Sequence, residues 1–116
     1  MANREQYGDI KDLTIAKDAA VSSSFQVPRW ATFVGVYIPD IDAGAVSLNI
    51  SKDDSTFIPV LDPIDGDDYV VLASGADPGY VDISMIIGSI PLKWYLRFGA
   101  ATQSTAAVTL TVSFRA

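Results

Sequence analysis

Apolar and polar positions alternate along most of this chain in short runs, each closed by Asp, Gly or Pro. Val46-Ser47-Leu48-Asn49-Ile50-Ser51 and Ala107-Val108-Thr109-Leu110-Thr111-Val112-Ser113-Phe114 do so without a slip. Side chains on a strand point to opposite faces in turn, so each run offers one face to a core and one to water. Similar patterns predict strands over residues 13–16, 21–27, 30–38, 57–61, 69–72, 80–85 and 93–98. In the 21–27 run Val21, Phe25 and Val27 share a face that Ser23 weakens, and in the 80–85 run Val81, Ile83 and Met85 point inward. Residues 85–90 alternatively close as a single helical turn. No stretch carries a convincing 3.6-residue period. The pattern predicts an all-β chain, an antiparallel β-sandwich of jelly-roll type.

Two strands have more apolar surface than one core needs. In residues 30–38, Trp30, Thr32, Val34, Val36 and Ile38 share one face, while Phe33 and Tyr37 lie on the other. A strand apolar on both sides is usually central and covered twice, and a neighbouring subunit is one such cover. Trp30 and Trp94 fall on the apolar faces of their strands and read as core. Tyr37 and Tyr95 fall on the opposite faces, where an amphipathic ring suits a protein interface. Pro59 cannot donate to a ladder, so its strand is an edge or bulged one. Residues 1–12 are polar and charged, with Tyr7 and Ile10 as their apolar points. They read as an extended N-terminal arm, either frayed or docking, ahead of a sandwich domain over residues 13–116. Arg4, Tyr7 and Ile10 are its candidate partner-binding residues.

Composition narrows the function. The chain has 116 residues, the size of one domain with a self-sufficient core. It has no cysteine and no histidine, which excludes disulfide frameworks, thiolate and imidazole metal sites, and Ser-His-Asp catalysis. A net charge of −6, from 8 basic and 14 acidic residues, repels phosphate backbones and argues against nucleic acid. Met1-Ala2-Asn3-Arg4-Glu5-Gln6 has no apolar signal-peptide core, and the greasy stretch 83–92 is interrupted by Gly88 and Pro91. No membrane partner is expected.

Asp62-Pro63-Ile64-Asp65-Gly66-Asp67-Asp68 is the one cluster with metal-ligand character. Asp65, Asp67 and Asp68 are its calcium candidates, but the spacing is not that of an EF-hand, and Asp and Gly are ordinary turn residues. A solvated turn is the first reading and a calcium site the second. The adjacent pairs Asp53-Asp54 and Asp67-Asp68 are poorly placed to flank a glycosidic bond. No catalytic residue, cofactor or enzymatic activity is assigned. The small polar loop 99–106 reads as a connection, or as room for close approach about a symmetry axis.

The order of these pieces resembles small virion proteins of tailed bacteriophages. Residues 46–62 are similar to a "strand, D-G-S-T-F, P-V-x-D" block. The Gly66-Asp67-Asp68 loop, the Asp77-Pro78-Gly79-Tyr80 turn, Trp94-Tyr95-Leu96-Arg97-Phe98, a Gln-containing small-residue loop and a last strand ending in Arg115 follow it, with Phe25-Gln26-Val27-Pro28 upstream. The likeness spans roughly residues 20–116 and is one of pattern. Asp54 stands where the block more often has glycine, which implies a turn without a positive φ there. The resemblance is to head decoration, or cement, proteins. It implies a compact β-sandwich on the capsid exterior, a homotrimer that binds the major capsid protein and is assembled in the host cytoplasm. The alternative is a carbohydrate- or receptor-binding module of a tail or fibre; a tail or connector subunit is a third reading.

Overall fold

In the computed structural model, residues 8–73 and 77–116 are described. They form β1 (Gly8–Ile15), β2 (Phe33–Ile38), β3 (Val46–Ser51), β4 (Ile58–Pro59), β5 (Val70–Leu72), β6 (Gly79–Asp82), a helical turn α1 (Ser84–Ile87), β7 (Tyr95–Gly99) and β8 (Val108–Arg115). The chain is all-β, and the pairings between these strands are antiparallel. One sheet has the order β1-β8-β2-β6. In the other, β7 lies along one edge of β3, while β4 and β5 share its opposite edge.

Alternation decides which side chains turn inward. Val34, Val36 and Ile38 of β2, Leu110, Val112 and Phe114 of β8, Val46 and Leu48 of β3, and Leu96 and Phe98 of β7 are all buried in one cluster. Both sheets therefore feed the same core, in which Phe25 stacks on Phe98 with ring centroids 5.9 Å apart and leans on Phe114 at 6.1 Å. Burial of this apolar area is the main stabilising term.

Several elements depart from what the pattern suggests, each for a local reason. β1 begins at Gly8, so residues 8–12, expected in the arm, are ladder members that pair with β8 from Gly8↔Arg115 to Ile15↔Val108. Residues 21–27 make isolated bridges, Val21 to Gly99 and Phe25 to Leu96, in place of a continuous strand. Here the buried Ser22 hydroxyl, on the face opposite Ser23, accepts from the Phe98 N–H at 2.9 Å. Ser23 N–H meanwhile donates to Thr14 O, so this segment stitches β1 to β7. β2 starts only at Phe33, because Ala31 N–H closes a turn onto Pro28 O. Trp30 thus sits outside the ladder, 36% exposed, and is not a core residue. Trp94 is half-buried beneath Lys52, whose ammonium lies 5.8 Å from the ring centre. Met85, expected inward, starts the outer side of α1 and is 94% exposed, while Ile83 and Ile87 take the buried places.

The hairpin between β3 and β4 overturns another expectation. Asp54 adopts φ = 60°, the left-handed region that the glycine of the similar block would favour. Asp53 makes this tolerable by holding the turn: its Oδ1 accepts from Ser51 Oγ at 2.8 Å and from the Ser55 and Thr56 N–H groups at 3.0 Å. Those bonds, Thr56 first, keep the Asp53 carboxyl below its ordinary range.

Candidate interaction surface

The outer face of the β1-β8-β2-β6 sheet is built by register. Ile10 lies opposite Ser113, which lies opposite Gly35, which lies opposite Asp82. One row along, Asp12, Thr111, Tyr37 and Tyr80 line up in the same way. β-Branched, Ser and Thr side chains suit such a wet face, but Ile10, Phe33, Tyr37 and Tyr80 are exposed there as well, Phe33 at 57%. The centre of the face is pinned. The Tyr80 ring crosses over Gly35, and its hydroxyl is hydrogen-bonded to Ser113 Oγ at 2.8 Å. A Cβ placed on Gly35 would fall 2.0 Å from that hydroxyl oxygen, so only glycine leaves the ring this path. At the margin, Ser84 Oγ donates to Asp82 Oδ1 at 2.6 Å and accepts from the Val34 N–H at 2.8 Å. The Ser84 hydroxyl, then its N–H, hold the Asp82 carboxyl below the ordinary range. A hydrogen-bonded face of exposed apolar and aromatic side chains, with the Asp82 and Asp12 carboxylates held by Ser84 and Thr111, can dock protein.

Of the residues singled out from sequence, Ile10 and Tyr37 come together here, on strands separated by β8. Tyr95 does not. It is half-buried and lines a gap between β1 and the 24–28 segment, beside Asp9, Lys11 and Asp54. Arg4 and Tyr7 lie outside the described residues. Asp65, Asp67 and Asp68 stand on an exposed hairpin, in which Asp62 Oδ1 accepts from Ile64 N–H and Asp65 Oδ1 from Asp67 N–H, each at 2.9 Å. Among the described residues no group of three or more carboxylates is gathered as a metal site.

Sequence reasoning meets Tyr80 at the Asp77-Pro78-Gly79-Tyr80 turn and Gln103 in the small polar loop, and misses the place each takes. Tyr80 has a signal, a glycine two residues from Tyr37 on a facing strand. Gln103 is 1% exposed inside the small polar loop. Its Oε1 accepts from Asp42 N–H at 3.0 Å, its Nε2 donates to Ala101 O at 2.7 Å, and its backbone bonds Asp18 and Ala19. Asp42 returns the contact by accepting from Ser104 N–H at 2.8 Å, which is the chief reason its carboxyl is held below the ordinary range.

A separate cleft of about 220 Å³ opens between residues 27–34 and 84–96. Its walls are Val27, Val34, Ile87, Ile90 and Leu96, and Arg29 and Lys93 stand at its rim. Comparison with protein-family models and with curated proteins finds no match to this chain.

Proposed function

We propose that this chain is a virion structural protein, a capsid decoration protein that binds the outer surface of a phage head and stabilises contacts between major capsid proteins. The observation that carries this reading is the aromatic outer face of the β1-β8-β2-β6 sheet, exposed on a stiff, hydrogen-bonded platform. Exposed apolar patches of this kind mark interaction sites. The fold that goes with it is a jelly-roll sandwich. Counting residues 20–25 with the second sheet, the chain visits first sheet, second, first, second, then first, second, first as it runs from β1 to β8, which supports that topology. The pattern resemblance over residues 20–116 supports the same reading.

Function is then adhesive. Apolar burial contributes about 25 cal/mol per Å² before association costs, and a symmetric shell multiplies a modest contact into avidity. The chain acts as a homo-oligomer, a trimer in the resemblance. Co-sedimentation with shells of the same virus's major capsid protein tests the reading. Saturable binding is expected, weakened by Phe33→Asp or Tyr37→Asp at least about tenfold. Failure of the native chain to bind such shells overturns it, and binding to a glycan array in its place moves the assignment to a receptor-binding module.

A further inference from the structure

The chain carries an exposed apolar knob flanked by acids and a cleft flanked by cations, in different places. The knob is Ile64, 92% exposed, at the tip of the hairpin between β4 and β5. Four carboxylates, Asp62, Asp65, Asp67 and Asp68, surround it in sequence. The hairpin is fixed: Asp62 N–H donates to Asp67 O at 2.7 Å, Gly66 N–H to Asp62 O at 2.8 Å, and the Asp62 carboxylate accepts from Ile64's own N–H. A hydrogen-bonded turn that holds a large apolar side chain out into water presents an anchor that a partner's cleft can take up.

The hole is the cleft between residues 27–34 and 84–96. At about 220 Å³ it is smaller than the roughly 300–1,000 Å³ of small-molecule sites, and fits an anchoring side chain better than a cofactor. Val27, Val34, Ile87, Ile90 and Leu96 line it together with the polar Thr32 and Ser84, Arg29 and Lys93 are its charged residues, and no carboxylate lines it among the described residues. In a chain with 14 acidic and 8 basic residues that local excess of positive charge is unusual.

From this complementarity we infer that Ile64 of one copy seats in the Arg29–Lys93 cleft of a second copy, with the flanking aspartates meeting the two cations. Ile64 stands in water within its own chain, so the pairing is between molecules. Knob and hole are different patches, so the contact is heterologous: each copy gives one and receives one, and the assembly closes as a ring or runs on as a filament according to the rotation. The inference rests on the self-association part of the function proposed above and not on its capsid partner. Solution mass tests it without shells, so the two can fail separately.

The experiment is sedimentation velocity on the full chain over a concentration series at low and high salt. The native chain is expected to associate with increasing concentration, and less so at high salt. Ile64→Asp, and separately Arg29→Glu with Lys93→Glu, should each weaken association at least about tenfold, the order of the transfer free energy of a buried Ile. These positions are exposed, so the fold is retained; Ile64→Ser and the corresponding Gln variants at Arg29 and Lys93 repeat the test without charge reversal. Mixing the knob-dead and hole-dead proteins restores one good contact per pair, giving a heterodimer and nothing larger. A native chain that stays monomeric up to about 1 mM, an Ile64→Asp variant that associates like the native chain, or a mixture that stays monomeric would each overturn the inference.

Discussion

The hairpin at residues 61–68 and the loop at residues 99–106 have much in common as sequence: both are short, polar and rich in small or turn-forming residues. As structures they are opposites. The first satisfies its backbone within itself and exposes Ile64. The second buries Gln103 and closes on two other segments, its side chain taking the Asp42 N–H and its backbone bonding Asp18 and Ala19. Gly44 shows how close the packing is: it adopts φ = 154°, and a Cβ there would fall 2.8 Å from the Ala101 methyl. The difference lies in where the hydrogen bonds go. A loop that closes on itself can be changed freely, and one that closes on its neighbours is part of the core.

That contrast can be broken most directly at Gln103. Gln103→Ala leaves the Asp42 N–H and the Ala101 carbonyl without their partner and opens a void. A loss of about 2–4 kcal/mol is expected, seen as a fall in Tm of about 10 °C or more; an unchanged melt would make the loop a mere connection after all. Acid should have a smaller effect through Asp42. Its folded carboxyl titrates below the unfolded value, so its contribution is complete above about pH 4 and is lost as pH falls through the folded value. Urea melts from pH 7 downward should show Asp42→Asn losing part of that acid-limb slope, while equal slopes would remove Asp42 from the tie. Smallest is Ile64→Ser, which should leave the melt of the dilute chain within about 0.5 kcal/mol of the native one. A clear destabilisation there would mean the exposed hairpin is structurally coupled like its counterpart.

The strand pattern was legible because alternation is a local property that a face-sharing core enforces. β3 and β8 appear almost as the runs of residues 46–51 and 107–114 suggest, and Tyr37's outward face follows from parity alone. What alternation cannot convey is where a ladder stops. Trp30 fits the inward parity of Val34 and Val36, yet the turn closed on Pro28 takes it out of the strand. Met85 fits the parity of Val81 and Ile83 until α1 replaces period two with a helical turn. Ser22, Gln103 and Asp54 were missed for a different reason: their roles depend on partners far away in sequence, or on a backbone angle that Asp adopts nearly as readily as Asn. Of the interaction surface, Ile10 and Tyr37 could be read directly. Tyr80's place over Gly35 needed the register.

β8 lies between β1 and β2, and its pairing with β1 joins residues about a hundred positions apart, Gly8 to Arg115. One of the two central strands of the aromatic sheet is therefore the last of the eight to leave the ribosome. Until it emerges, β1 has no ladder partner and β2 has only β6, so this sheet waits on β8. Contacts so distant carry a loop-closure cost before they return any stability, which places folding in the millisecond-to-second range typical of β-topologies. The platform that would meet a partner is thus finished only when β8 docks, and a chain without β8 exposes no finished binding face.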